Sequence, residues 1–250
     1  MHISLNMKMM KSTVNTYKSV GNRSHKNHYL AGQVQKMIRI NSKKTLLVAI
    51  AILAWFGLIL QLYILIDNTP GNGLTPLQAL GRFFIFFTIL TNLLVAVDVT
   101  IFLFASHSRV GHFFSKASTC AAVALYIFMV GLVYNVVLGN IWHPQGTQRI
   151  ADELLHVVVP ATFIFYWLLF AAKSPLRWFN ALQWLVYPAI YFVYAMIRGS
   201  IEGFYAYPFL DADKLSAGKI ILNCAGLLTV FIIVGLLFIA IGKKMSRRSK

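Results

Sequence analysis

His156 is the residue whose type and position first suggest chemistry. It lies in the apolar run ADELLHVVVPATFIFYWLLFAA (151–172), four residues before Pro160. An ionisable group inside a membrane-spanning helix is a functional candidate, and a proline leaves the carbonyl four residues earlier without its helical donor. The sequence therefore predicts that the imidazole and the carbonyl of His156 are both available at one point. The alternative is a neutral histidine that hydrogen-bonds Asn92 between helices, worth about 1 kcal/mol.

Other hydrogen-bonding side chains are expected at a similar depth. At 1.5 Å per residue, Thr88 lies roughly 8 Å and His156 roughly 5 Å inside one end of their helices. Asn92 is one turn beyond Thr88, and Asn135 is near the same end of its own helix. Polar groups are costly in hydrocarbon and normally face protein or water. The pattern predicts a polar pocket in the outer half of the bilayer.

A stripe of polar residues follows the fifth apolar run. Its members are spaced by three or four residues, which keeps them on one helical face. They are Tyr187, Tyr191, Tyr194, Arg198 and Glu202. Arg198 either pairs with Glu202 or binds an anionic ligand, and the alternative for the whole stripe is a packing ridge that ends in a surface ion pair.

The composition limits the classes of protein that are open. Hydrophobic residues make up 58% of the 250 residues and charged residues 12%, against about 25% charged in an average soluble domain. The net charge of +16 lies almost entirely between and outside the apolar runs, so we expect no nucleic-acid surface. His, Cys, Asp and Glu do not occur at metal-ligand spacing, so we expect no metal and no cofactor.

Six apolar runs are long enough to position these residues across a membrane. A helix needs ~20 residues to cross ~30 Å of hydrocarbon, and the runs lack the alternation of barrel strands. The predicted spans are 45–66, 83–104, 117–138, 153–170, 179–197 and 220–241. We therefore predict an all-α integral membrane protein, a bundle of six transmembrane helices.

Basic residues predict the orientation. Segments 1–44, 105–116, 171–178 and 243–250 contain 18 of the 23 Lys and Arg residues, and six of the seven acidic residues lie on the other side. By the positive-inside rule, both termini are cytoplasmic and the protein lies in the cell membrane. Residues 1–44 are expected to be a basic, mostly disordered tail, with Met37 as an alternative translation start, and 243–250 a second basic tail.

Five segments resemble the bacterial six-pass integral membrane proteins of the Pr6Pr family, over about residues 45–242. That family is more distantly similar to the androgen-induced and androgen-dependent TFPI-regulating proteins, which are intramembrane threonine hydrolases of fatty acid esters of hydroxy fatty acids. The segments are FFTILTNLLVAV (86–97), VGLVYNVVL (130–138), IWHPQGTQRIADELLHVVVP (141–160), SPLRWFNALQWLVYPAIYFVYAMIRG (174–199) and YAYPFLD (205–211).

The resemblance implies a catalytic pair. Thr88 matches the nucleophilic threonine of the hydrolases, with Thr91 as a second candidate, and aligning Asn92 with the family's Asn or Asp would instead put Ile89 at that position. His156 matches a histidine that precedes a proline, with one residue fewer before Pro160. In such a pair a neutral imidazole takes the proton of the hydroxyl and so makes it a nucleophile.

Supporting roles follow from the mechanism of such a pair. Asn92 or Asn135 would donate to the oxyanion of an ester. Arg198, beside Tyr194, would hold a substrate carboxylate. The segment YPFL (207–210) also matches the family, and no third residue that orients His156 is evident.

The leading interpretation is a Thr/His hydrolase of lipid-like fatty acid esters, surrounded by membrane lipid. The alternative is a non-catalytic membrane protein that binds or transports a small amphiphile. A third interpretation is a scaffold in which polar residues only join helices. The sequence leaves the oligomeric state open.

Overall fold

The computed structural model describes residues 2–139 and 141–248, with side chains between 32 and 247 except at 70, 72 and 140. The chain divides into two units, Met1–Thr45 and Leu46–Lys250. The first is helical backbone over its described residues. Every residue of the candidate site belongs to the second. In the described ranges the regular elements are all helical.

Six of the helical segments are long and apolar enough to cross a membrane, which confirms the predicted number. They are Gly32–Asp67, Phe87–Phe104, Ala117–Leu138, Gly146–Phe170, Asn180–Glu202 and Ala217–Arg247. The fourth begins seven residues before the predicted start, because polar residues such as Gln148 and Asp152 continue the helix beyond the apolar run. The predicted disorder of residues 1–44 stays a prediction, and the side chains of residues 1–31 lie outside the described part.

The chain between the first two spans is short and irregular. Helix α1 (His2–Asp67) is followed by α2 (Thr69–Asn72) and α3 (Pro76–Phe83). Thr75 begins α3 with a capping box, in which its hydroxyl accepts from the Gln78 N–H and the Gln78 side chain accepts from the Thr75 N–H. Such a box satisfies donors at a helix start.

A break at 84–86 separates α3 from α4 (Phe87–Phe104). Two tyrosines of the predicted stripe stabilise it. The Tyr191 hydroxyl donates to the Ile85 carbonyl at 2.9 Å, and the Tyr194 hydroxyl donates to the Phe84 carbonyl at 3.2 Å. Carbonyls that a broken helix leaves without donors are thereby paired, and the first turn of α4 is held in place.

Two spans contain a π-helical turn. After α5 (Arg109–Phe114), helix α6 (Ala117–Val133) continues into a π turn at Tyr134–Leu138. The fourth span consists of α7 (Gly146–Glu153), a π turn at Leu154–Val158 and α8 (Val159–Phe170). Helices α4, α6 and α8 pack together around large buried side chains that include Trp167, Tyr166 and Phe163.

The last part of the chain brings a loop back over the bundle. Helices α9 (Asn180–Gln183) and α10 (Val186–Glu202) precede a loop with a 3₁₀ turn at Pro208–Leu210, and α11 (Ala217–Arg248) follows. Gly203 ends α10 with φ +61°, a left-handed conformation that favours glycine.

Two contacts fix this loop. The Asn223 amide donates to the Phe209 carbonyl at 2.9 Å. Lys214 lies 2.7 Å from the Asp211 carboxylate, and this hydrogen bond lowers the pKa of Asp211. The YPFL segment is therefore held against α11.

Candidate active site

Thr88 and His156 are in direct contact. The Thr88 Oγ1 lies 3.2 Å from the Nε2 of His156, and each residue is only 9% exposed. Thr88 is the second residue of α4, and His156 is the middle residue of the π turn in the fourth span. The sequence predicted a common depth for the two residues, and the fold brings them within hydrogen-bond distance.

The hydrogen bonds around His156 define its tautomer. Its Nδ1 lies 3.0 Å from the backbone carbonyl of Asp152. Because a carbonyl only accepts, Nδ1 carries the hydrogen in the neutral ring. Nε2 is then an acceptor, and the Thr88 hydroxyl donates to it. This is the arrangement that a general base requires before proton transfer.

The π turn adds the carbonyl of Leu155 to the prediction about Pro160. The Val159 N–H donates to the carbonyl of Leu154, five residues earlier. In that register the missing N–H of Pro160 leaves the carbonyl of Leu155 without a backbone donor. The Asn92 amide donates to this carbonyl at 3.1 Å and to the Thr88 carbonyl at 2.9 Å.

Asn92 therefore joins α4 to the π turn. Both hydrogen bonds from its amide nitrogen go to backbone carbonyls, and its Oδ1 has no partner among the described residues. The hydrogen bond between Asn92 and the His156 ring, which the sequence offered as the alternative, is replaced by one to the neighbouring backbone. The geometry gives Asn92 a positioning role for both elements of the pair.

The imidazole is also held on its face and through its backbone. The Tyr134 ring stacks on it, with centroids 3.8 Å apart and an interplanar angle of 16°. On α6, a Cβ at Gly131 would lie 2.9 Å from the His156 carbonyl oxygen. Glycine is needed there because any side chain would push the π turn away. The ring thus has one orientation towards Thr88.

A small apolar cavity of about 40 Å³, open on one side, adjoins Thr88. Its walls come from α4, α6, α10, α11 and the loop after α10. They include Phe87, Thr88, Met129, Tyr134, Tyr191, Tyr207, Phe209 and Phe231. Thr88 stands between this space and His156, which does not line it. A molecule in the cavity would meet the hydroxyl first and the base behind it.

Tyr207 is a site residue for which sequence reasoning gave no role. It is 8% exposed, lines the cavity, and its hydroxyl interacts with the Thr88 and Tyr191 hydroxyls. The only signal in the sequence was its position in YPFL, which lies about 120 residues from Thr88 along the chain. No helical spacing connects the two residues, so only the fold could place them together.

Two other predicted residues lie away from the pair. Asn135 is exposed and donates to the Gly131 carbonyl of its own helix at 2.8 Å. Thr91 is fully buried, and its hydroxyl lies 3.1 Å from that of Tyr187. Of the two candidate threonines, Thr88 is the one that contacts His156.

Arg198 and Tyr194 lie at a second place on the molecule. Arg198 forms an ion pair with Glu202, one of the two alternatives that the spacing left open. Arg198 and Glu202 line a groove with Leu77, Gly81 and Phe84. Neither residue lines the cavity beside Thr88. The Tyr194 hydroxyl donates to the Phe84 carbonyl, in the break before α4.

Comparison with family models, with curated proteins and with solved structures finds no match to this chain. The resemblance to the six-pass family therefore stays a prediction. In the described residues, His, Cys, Asp and Glu side chains do not gather into groups of three that could hold a metal ion.

Proposed function

We propose that this protein is an intramembrane hydrolase of lipid-like esters in which Thr88 is the nucleophile and His156 the general base. The observation that carries the proposal is the 3.2 Å contact between the Thr88 hydroxyl and Nε2 of a buried imidazole. The contact lies at the wall of an apolar cavity, and the partner of Nδ1 leaves Nε2 as the acceptor.

The proposed reaction has two halves. In the first, Thr88 Oγ1 attacks the ester carbonyl carbon while its proton passes to His156 Nε2. The bond to the alcohol then breaks, and the alcohol leaves with that proton. In the second half, water attacks the acyl-Thr88 ester and gives a proton to Nε2, which returns it to Oγ1 as the carboxylic acid leaves. Both halves regenerate the neutral imidazole.

Tyr207 is the proposed oxyanion donor. Its hydroxyl lies beside the attacking oxygen and on the cavity wall. A hydroxyl fixed at that point can donate to the negative oxygen of the tetrahedral intermediate. The amides of Asn92 and Asn135 are less suitable, because both already donate to backbone carbonyls.

The cavity favours a neutral substrate with an acyl chain. Its walls are aliphatic and aromatic, and the polar groups in them are hydroxyls. Apolar walls with few polar groups are typical of sites that bury a lipid-like ligand. Arg198 lies outside this cavity, so the proposed substrate needs no carboxylate.

We further propose a cell-membrane location with both termini cytoplasmic. The distribution of Lys and Arg supports this orientation. Helix α4 then runs from outside to inside, so Thr88 in its first turn lies in the outer half of the bilayer. A lipid-like ester would enter from the outer leaflet.

A fluorophosphonate probe with an alkyl chain tests the catalytic pair. We expect wild-type protein in membranes to be labelled and Thr88→Val to lose at least about 100-fold in labelling rate, because the activated hydroxyl is gone. Thr91→Val is the matched control, since it removes a hydroxyl one turn away that does not contact His156. Labelling that persists in Thr88→Val would contradict the proposal.

Binding of a small amphiphile without turnover is the second candidate function. The cavity itself favours it, because apolar walls suffice to hold an acyl chain. Wild-type protein that binds a fluorescent fatty acid ester but neither hydrolyses it nor reacts with the probe would support this alternative.

A further inference from the structure

Three side chains of the fourth span form a polar line that ends at His156. Gln148, Asp152 and His156 are spaced by four residues and lie on one face of α7 and its π turn. Asp152 is 6% exposed although it is a carboxylic acid. Acidic side chains are rarely buried unless they are paired, so its contacts indicate what it does.

Neutral donors hold the Asp152 carboxylate. The Trp142 Nε1 donates to its Oδ2 at 2.6 Å, and the Gln148 Nε2 donates to its Oδ1 at 3.4 Å. The Tyr134 hydroxyl also interacts with it. These donors take the place of water at the carboxyl oxygens.

Gln148 is fixed from a second helix. Its Nε2 donates to the Gln61 Oε1 at 2.9 Å, and the Gln61 Nε2 donates to the Gln148 Oε1 at 3.4 Å. Gln61 lies on α1, so the carboxylate receives donors from the loop with Trp142 and from α7, and α1 holds the second of these donors in place. Such convergence restricts the carboxylate to a single position.

That position faces the imidazole. Asp152 Oδ1 lies 3.7 Å from His156 Nδ1, while the Asp152 backbone carbonyl lies 3.0 Å from the same nitrogen. The carbonyl therefore sets the tautomer, and the carboxyl group lies beside the same nitrogen of the ring. The other titratable groups near this pair are Tyr134, which stacks on the ring, and Glu153, which is exposed.

We infer that Asp152 is a positioning residue for His156, in which Trp142 and Gln148 hold a carboxylate that stabilises the imidazolium formed when His156 takes the Thr88 proton. The inference rests on the proposed function. It identifies Asp152 as the residue that orients His156, which the sequence did not reveal. It needs no proton transfer to Asp152, since a carboxylate in this place acts through its charge and its orientation of the ring.

Substitution of Asp152 by asparagine tests the inference, with Glu153→Gln as the matched control. Asp152→Asn keeps the backbone carbonyl and nearly the same shape, so the tautomer should persist while the charge is lost. We expect the maximal rate of fluorophosphonate labelling to fall at least about 10-fold. The probe concentration that gives half of that rate should not change. Asp152→Glu should recover part of the loss.

Trp142→Phe is a second variant in case Asp152→Asn folds poorly. Trp142 is 50% exposed, so its loss should leave folding intact, and removal of its donor should cause a smaller fall in rate. Wild-type labelling rates in both Asp152→Asn and Trp142→Phe would overturn the inference and leave the Thr88–His156 pair standing.

A spectroscopic measurement separates this inference from the proposed function. In protein labelled with ¹⁵N-histidine, the His156 signals are assigned by their absence in His156→Gln. We expect Asp152→Asn to shift the Nδ1 resonance and Glu153→Gln to leave it unchanged. That result is expected even if the probe labels no form of the protein, in which case only the hydrolase proposal fails. An unchanged Nδ1 resonance in Asp152→Asn would overturn the positioning role.

Discussion

The position of one hydroxyl distinguishes Thr88 from the other threonine of the same helix. Thr88 and Thr91 are three residues apart on α4, and both are buried. Thr91 faces the Tyr187 hydroxyl, whereas Thr88 faces both an imidazole nitrogen and an apolar cavity. A hydroxyl that only joins two helices needs no cavity. Thr88 is the candidate nucleophile because its hydroxyl contacts both His156 and the apolar cavity.

Tyr207→Phe should lower the turnover of a fatty acid ester by about 100-fold, the typical effect of removing one oxyanion donor. The ring contacts of Tyr207 with Phe86 and Phe209 do not require the hydroxyl, so the fold should be kept. The turnover number, measured with a chromogenic ester in detergent micelles, checks this prediction.

Tyr205→Phe is the control for that measurement. Tyr205 lies two residues away in the same loop, does not line the cavity, and packs its ring against Gly199. It should retain wild-type turnover. Equal turnover in the two variants would remove Tyr207 from the mechanism.

At the scale of elements, the two π turns are what bring the site together. One turn carries Tyr134 and the other carries His156, and their rings stack. A π turn inserts one residue into a helix and changes the direction of the side chains that follow. Pro160 is compatible with the second turn because Asn92 on α4 supplies the donor that the Leu155 carbonyl would otherwise lack. The proline and the asparagine therefore act together.

Asn92→Leu should lower the free energy of unfolding by about 2 kcal/mol, because two buried carbonyls each lose a donor. Asp98→Leu is the matched comparison on the same helix. Both residues are fully buried, but the Asp98 carboxyl oxygens have no hydrogen-bond partner among the described residues. Removing an unsatisfied buried carboxyl should not destabilise the protein.

Thermal unfolding in detergent measures both effects. We expect a lower Tm for Asn92→Leu and an unchanged or higher Tm for Asp98→Leu. If Asp98→Leu lost as much stability as Asn92→Leu, the carboxyl of Asp98 would have a structural role that its contacts do not account for.

The sequence predicted the helices and the Thr88–His156 pair more completely than it predicted the surroundings of that pair. Hydropathy identifies six spans because length and apolarity are local properties of the chain. The common depth of Thr88 and His156 followed from the rise of a helix. The π register did not, since it depends on how α4, α6 and α8 pack together. Tyr207 was missed because it comes from a distant loop.

Asp152 was missed for a different reason. It stands four residues before His156, which is a readable spacing, but it was assigned to the region outside the span, where acidic residues are ordinary. The helix begins at Gly146, so Asp152 lies inside the folded structure instead. Because the predicted start of this helix was seven residues too late, the burial of the Asp152 carboxylate was not predicted.

At the scale of the whole molecule, charge separates the two ends of the six spans. The segments predicted to lie on the side of both tails carry 18 of the 23 basic residues, and those predicted to lie on the opposite side carry six of the seven acidic residues. The loop that covers the cavity, with Tyr207 and Phe209, belongs to the second side. If that side is external, the entrance to the cavity serves lipid of the outer leaflet. The orientation therefore decides which lipid pool the proposed enzyme uses.

Cysteine accessibility in intact cells decides the orientation. In a background with Cys120→Ala and Cys224→Ala, a membrane-impermeant maleimide should label Ala212→Cys, because residue 212 is exposed and lies in the loop predicted to be external. His107→Cys and Lys244→Cys, both exposed, should react only after the cells are permeabilised. The reverse pattern would place Thr88 in the inner half of the bilayer and direct the proposed hydrolase to lipid of the inner leaflet.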